Sequence, residues 1–244
     1  MSNVQTESWM DRTVGEVVAE NYGRAAAFTR LGIDFCCGGK RTVAQACAKA
    51  GVPAETAIAE IEAADRAAPA DSDDEIRAWP AARLSAHIVD THHDYVRRTL
   101  PVLGAWSEKV ARVHGERHPE LLEVRTIVAT LQIEMTRHMR MEEDHLFPRL
   151  EVLDTRPDEL AGDPTELIIA MEDDHDEVGG LMRRAREVTA GFDPPEGACA
   201  TYRATFALLE EFETDLHRHV HLENNLLFPA ARRALAGHEP VARG

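Results

Sequence analysis

The chain has 244 residues, 44% of them apolar and 5% aromatic, enough for one sizeable core plus a smaller unit. Its 43 acidic and 27 basic residues give a formal net charge of −16, which repels phosphate backbones and anionic lipid, so nucleic-acid and membrane partners are not expected. No apolar run reaches the ~18–20 residues of a membrane span, and residues 1–14 lack the basic start and apolar stretch of a secretory signal. The four cysteines, with Cys36 and Cys37 adjacent, make a poor disulfide framework, and the expected setting is the cytoplasm.

Read in chain order, Thr13-Val14-Gly15-Glu16 is a capping box that opens a helix. A second short helix ends near Leu31, where Gly32 serves as a C-cap. A turn containing Cys36 and Cys37 follows, then a capping box at Thr42 and Gln45, then a helix over about 54–64. This gives a small helical domain over 1–65 and a polar, acidic linker over 66–80. From there to 235 the pattern predicts four long amphipathic helices, roughly 82–113, 118–150, 164–190 and 199–235. The expected class is therefore all-α, with an up-down-up-down four-helix bundle after the small domain.

The bundle contains an internal repeat. His138-x-x-x-Glu142 precedes Leu146-Phe147-Pro148, and His219-x-x-x-Glu223 precedes Leu227-Phe228-Pro229. His138 and His219 are 81 positions apart, as are Glu142 and Glu223, while His93 and His175 on the intervening helices are 82 apart. Positions i and i+4 share a helix face. Each His–Glu pair lies in an apolar stripe, where a carboxylate without a partner is very costly. One such motif is usually a solvated ion pair. Two copies, each with a matching inward histidine, point to metal, and imidazole with carboxylate suits iron, manganese or zinc better than calcium.

At 100° per residue, His217 and His221 fall on the solvent side of the last helix, and His87 and His92 are read as surface residues or as neighbours of the ligands. His145 shares the face of His138 but has Leu226 at the repeat-equivalent position, and is left outside the ligand set. Glu134 and Asp215 each precede a ligand histidine by four residues and are candidates to accept its second N–H; an exposed acidic residue is the equal alternative.

These motifs resemble the di-iron proteins that repair iron–sulfur clusters after nitrosative or oxidative damage. The likeness includes Leu31-Gly32-Ile33-Asp34-Phe35-Cys36-Cys37-Gly38-Gly39-Lys40, His93-Asp94, Met171-Glu172-x-x-His175-Asp176-Glu177 and both His-x-x-x-Glu motifs. It implies a hemerythrin-like bundle with His93, His138, Glu142, His175, His219 and Glu223 as ligands of two non-haem irons, both glutamates bridging and an oxo bridge allowed. Oxygen-carrying hemerythrins have a His where this chain has Gly179 and an Asp where it has Asn224. Cys47 and the Arg-rich tail after Pro229 depart from the expected pattern.

The resemblance implies damaged iron–sulfur proteins as partners and nitric oxide or dioxygen as small ligands, and it is compatible with a homodimer. Cys36 and Cys37 are candidates to handle iron or sulfur or to take part in redox exchange; small thiols buried in a structural turn are the alternative. Iron supply to damaged clusters is the first functional reading. A nitric oxide or peroxide reductase and a gas or redox sensor are the others.

Overall fold

The computed structural model describes residues 9–67 and 74–238, and these form helices and turns with one isolated bridge, Thr13 to Thr42. Most of the expected linker core, residues 68–73, lies outside the described residues, as does the start of the chain. The chain divides into two compact units, Met1–Leu84 with Val220–Gly244, and Ser85–His219.

In the first unit, α1 (Val14–Glu20) begins at the expected capping box, with Thr13 and Glu16 each accepting the other's backbone N–H. Helix α2 (Ala25–Arg30) stops at Gly32, whose φ of +66° allows the Ile33 N–H to donate back to the Phe28 carbonyl. Helix α3 (Val43–Ala50) has the second capping box, at Thr42 and Gln45, and α4 (Ala54–Ala67) runs somewhat longer than expected. Val14, Val17, Val18, Phe28, Val43 and Ile61 are fully buried, each contributing roughly 1.5–3 kcal/mol of transfer free energy. Arg24 ties α2 to α4: its guanidinium forks onto the two Asp65 oxygens at 2.7 and 3.0 Å and also donates to the Val17 carbonyl. A single turn, α5 (Asp74–Arg77), precedes α6 (Ala81–Ile88).

The second unit is a bundle. Its long helices are α7 (Asp94–His114), α8 (Glu120–Met141) continued by α9 (Phe147–Thr155), α10 (Thr165–Val188) and α11 (Ala200–Leu222), the last crossing the unit boundary after His219. The apolar positions recur every three or four residues, as in Leu121, Val124, Val128, Leu131 and Met135 on α8 and Phe206, Leu209, Phe212 and Leu216 on α11, and all are buried. Helix α12 (Phe228–His238) follows α11.

Three π turns interrupt these helices, Val89–His93, Glu142–Leu146 and Glu223–Leu227. The last two occupy equivalent places in the repeat. Phe147 donates its N–H to Glu142 and Phe228 donates to Glu223, five residues back in each case. Pro148 and Pro229 come next; lacking an N–H and pushing on the carbonyl four residues back, they favour a widened turn before them.

Candidate metal centre

His138 sits in the last turn of α8, Glu142 at the start of the π turn that follows it, His175 in the middle of α10, His93 at the end of the first π turn and His219 near the end of α11. The same unbroken helical winding carries Glu223 one turn beyond His219. All six side chains are buried, with His93, Glu142, His219 and Glu223 at 0% exposure.

They gather as two sets. His93, Glu142, His219 and Glu223 can each offer a donor atom, all within 4.8 Å of one another, and so can His138, Glu142, His175 and Glu223. Both glutamates belong to both sets. The imidazoles face each other through Nε2, at 3.2 Å between His93 and His219 and 3.1 Å between His138 and His175. One Glu142 oxygen lies 3.2 Å from the Nε2 atoms of both His93 and His138.

The donor set fits a metal. His93 Nδ1 is 2.6 Å from Glu143 Oε1, which places the ring proton on Nδ1 and leaves Nε2 as a lone pair. That lone pair faces a second imidazole nitrogen and a carboxylate oxygen, and a cation between them converts mutual repulsion into attraction. The buried carboxylates of Glu142 and Glu223 call for the same positive charge. Four imidazole nitrogens with two carboxylates form a mixed N,O set suited to a transition metal.

The residues around this set differ from expectation. Glu143, joined also by Arg97, takes the second nitrogen of His93. Asp174 Oδ2 lies 3.5 Å from His138 Nδ1, and His138, then Arg137, hold the Asp174 carboxyl below its ordinary 3.8. Glu134 does not reach a ligand but pairs with Arg137, which also holds Asp174. Asp215 accepts from His92, at 2.8 Å, rather than from His219. The i−4 rule fails here because these contacts cross between helices or follow a widened turn.

His221, read as solvent-facing, is buried, and that reading is corrected; of the two alternatives for His92, the structure has it as a neighbour of a proposed ligand. His92 is 4% exposed, with its ring stacked on His219 at 5.6 Å and nearly parallel. It lies inside a π turn, where each residue advances the helix by less than 100°, so adjacent His92 and His93 both turn inward. His221 is 0% exposed, packed against Tyr22 and Phe35 and 3.1 Å from the Asn225 amide. Its ring does point away from the face of His219, as the helical phase requires, but that face is covered. His87 and His217 are half-buried, and His145 is exposed.

In the first unit, the Asn224 and Asn225 amides reach the Cys36 carbonyl at 3.4 and 3.5 Å, and Asn225 also reaches Phe35. Asn225 needs glycine beside it: a Cβ on Gly15 or Gly39 would stand 2.0 or 2.5 Å from its Oδ1. Cys36 is buried and Cys37 half-buried, and with Asp34 they form a third group of close donor atoms. The neighbouring Cys37 thiol, burial and the Asp34 carboxylate push the Cys36 thiol well above 9.0. Cys47 is buried as well.

Among the described residues, no helix is long and apolar enough to cross a membrane. Residues 84–231 match the Hemerythrin HHE cation binding domain, and residues 10–65 match ScdA_N, a domain of unknown function. The chain is 36% identical to the iron–sulfur cluster repair protein YtfE of Pectobacterium carotovorum over 226 residues, 93% of this chain and 99% of the relative. It is 37% identical to the protein of the same name from Yersinia pestis over 209 residues, 84% of this chain and 90% of the relative. With a cation-binding bundle domain and full-length relatives at this identity, the chain belongs to the iron–sulfur cluster repair protein family.

Proposed function

We propose that the protein holds two iron ions through His93, His138, Glu142, His175, His219 and Glu223, and supplies iron to iron–sulfur clusters damaged by nitrosative or oxidative stress. The observation that carries this reading is the sharing of Glu142 and Glu223 between two otherwise separate histidine pairs. Such a set suits two ions bridged by carboxylates, and the likeness to iron–sulfur cluster repair proteins supports the repair function.

The chain's own residues prepare the site. Glu143 orients His93 and keeps its proton on Nδ1, Asp174 sets a carboxylate charge 3.5 Å from His138 Nδ1, and His92 braces the ring of His219. Phe147, buried, stacks on the ring of His93 at 5.9 Å. Bound iron provides the metal that a damaged cluster lacks and can meet small ligands such as nitric oxide or dioxygen. Four imidazoles and two carboxylates hold a divalent ion less tightly by charge than a four-carboxylate set, which suits release. The proposed division is a helical domain over 1–65, a linker over 66–80 and the iron-holding bundle over 81–235, in a cytoplasmic protein acting on damaged iron–sulfur proteins.

In this reading Cys36 and Cys37 pass iron or sulfur. Cys36 meets a metal as a thiol, and binding displaces its proton.

The test is recovery of activity in a cluster enzyme damaged with nitric oxide, using protein purified without oxygen and carrying about two irons. The intact protein restores the enzyme. The His138→Ala variant, folded but short of iron, does not. Equal recovery with both overturns iron supply from this site. A Cys36→Ser, Cys37→Ser double variant of the full chain that keeps its iron yet restores poorly assigns the thiols to transfer, and full recovery removes them.

A further inference from the structure

In the unit formed by Met1–Leu84 with Val220–Gly244, the turn over 34–37 is built around one carboxylate oxygen. Asp34 Oδ1 accepts the backbone N–H of Cys36 at 3.1 Å and that of Cys37 at 3.0 Å, and Cys36 Sγ lies 3.4 Å from the same oxygen. The two sulfurs stand 3.9 Å apart, well beyond the ~2.05 Å of a disulfide, and one donor atom from each of the three residues lies within 4.8 Å of the others. Other parts of the same unit hold the turn in this shape. The Asn224 and Asn225 amides reach the Cys36 carbonyl at 3.4 and 3.5 Å. Gly38 lets the chain close on the carboxylate, because a Cβ there would stand 3.3 Å from Asp34 Cβ.

We infer that Asp34, Cys36 and Cys37 form a site for one divalent transition-metal ion in tetrahedral geometry, zinc or ferrous iron, with the fourth corner taken by an external ligand. Metal–sulfur bonds of ~2.3 Å and metal–oxygen bonds of ~2.0 Å set tetrahedral edges of about 3.8 Å between two sulfurs and about 3.5 Å between sulfur and oxygen. The 3.9 Å between the sulfurs and the 3.4 Å from Cys36 Sγ to Asp34 Oδ1 match these edges. Binding is ligand exchange without redox: two metal–sulfur bonds and one metal–oxygen bond form, water leaves the ion, and the two thiol protons pass to solvent. The cation replaces the proton between Cys36 and Asp34, while the two N–H donors stay on Oδ1 and keep it aimed at the sulfurs. Two thiolates with one carboxylate select zinc or iron over magnesium and calcium, which take all-oxygen sets. Among the described residues no fourth His, Cys, Asp or Glu joins the group. Cys36 is buried and Cys37 half-buried, so an external ligand such as water or a thiolate reaches the ion from the Cys37 side. Three protein ligands and one exchangeable corner characterise a site that trades ligands, not a closed structural one.

The inference deepens the transfer role proposed for this turn, and its test uses a signal that the sulfur-free ligand set of the bundle does not give. Cobalt(II) is titrated without oxygen into reduced, full-length, iron-loaded protein. Sulfur-to-cobalt charge-transfer absorption is followed together with iron content and helical circular dichroism. The expected result is one equivalent of tetrahedral cobalt carrying that absorption, which excess zinc or ferrous iron then bleaches. The Cys36→Ser, Cys37→Ser double variant abolishes the band. Asp34→Asn, which keeps an oxygen for the two N–H donors, weakens binding about tenfold or more, whereas Cys47→Ser and Cys199→Ser leave it within about twofold. Absence of the band, its survival in the double cysteine variant, or unchanged affinity in Asp34→Asn at intact helical content overturns the site. Full repair by the double cysteine variant, with the band present in the intact protein, removes the transfer role and leaves the site standing. Absence of the band alongside intact repair removes the site and leaves iron supply by the bundle.

Discussion

Glu143 places a carboxylate oxygen 2.6 Å from His93 Nδ1, and the residue just before it, Glu142, places its own 3.2 Å from His93 Nε2. Two consecutive glutamates thus flank opposite edges of one imidazole, one from within the proposed ligand set and one from outside it. This makes Glu143 more than a surface acid. Glu143→Gln should lower metal affinity about 10- to 100-fold while leaving the helical content intact, and Arg97→Ala should have a smaller effect in the same direction. Competition with a chromophoric chelator measures both. Unchanged affinity in Glu143→Gln would show that the contact does not act on the ligand.

His219 and His221 should separate by phenotype although both are fully buried. His219→Ala should empty the site. His221→Ala should leave the metal content of the folded protein unchanged and cost about 2–3 kcal/mol in stability, because it removes a ring packed against Tyr22 and Phe35. Metal analysis alongside urea unfolding distinguishes the two outcomes.

Gly15 and Asn225 should be energetically coupled. Gly15→Ala introduces a methyl where Asn225 sits, and Asn225 is held by the Phe35 and Cys36 carbonyls and by His221. The single variant should lose about 1–3 kcal/mol. Combined with Asn225→Ala, the loss should fall clearly short of the sum of the two single losses, as a double-mutant cycle would show.

Asp65 makes stability depend on acid. Burial raises its carboxyl, but the hydrogen bonds and charge of Arg24 and the Asn21 amide outweigh this and hold it below 3.8. A depressed carboxylate stabilises the fold above its unfolded value, and that contribution is lost as pH falls from about 3.8 through the folded value. Asp65→Asn should therefore lower the melting temperature at neutral pH, and the two melting curves should converge as pH drops below 3.8.

Cys36 should react slowly. With its thiol pushed well above 9.0 and buried, it remains protonated at pH 7–8, whereas Cys199 is exposed. Mass spectrometry during iodoacetamide treatment should show Cys199 modified first. Rapid alkylation of Cys36 at neutral pH would contradict the packing of its turn.

Much of this was legible in the sequence because the relevant signals are local. Capping boxes at Thr13 and Thr42 involve residues three apart, and the repeat of His-x-x-x-Glu before Leu-Phe-Pro uses one helical turn and a fixed offset. The errors arose where one element meets another. Glu143 and Asp174 reach their histidines across a gap between helices, so no spacing within one helix reveals them. Phasing leaves His92 between the surface and the ligands because a π turn changes the angular step that phasing assumes. His221 was misplaced because nothing in α11 itself records that Tyr22 and Phe35 cover its polar face.

The prolines after the two π turns have a consequence for tolerance to length changes. In each repeat a wide turn takes up one more residue than α-helical winding would, and Pro148 or Pro229 marks where it must close. Deleting one residue between Glu142 and Pro148 would let ordinary winding resume: four steps of about 100° would replace five narrower ones, so Phe147 and Leu150, both buried, would keep about the same direction around the axis. Substitutions of similar size at Glu143, Asp144 or His145 preserve that spacing. A single-residue deletion at exposed Asp144 or His145 should therefore cost less stability than one in the middle of α8, where no wide turn can close to absorb it.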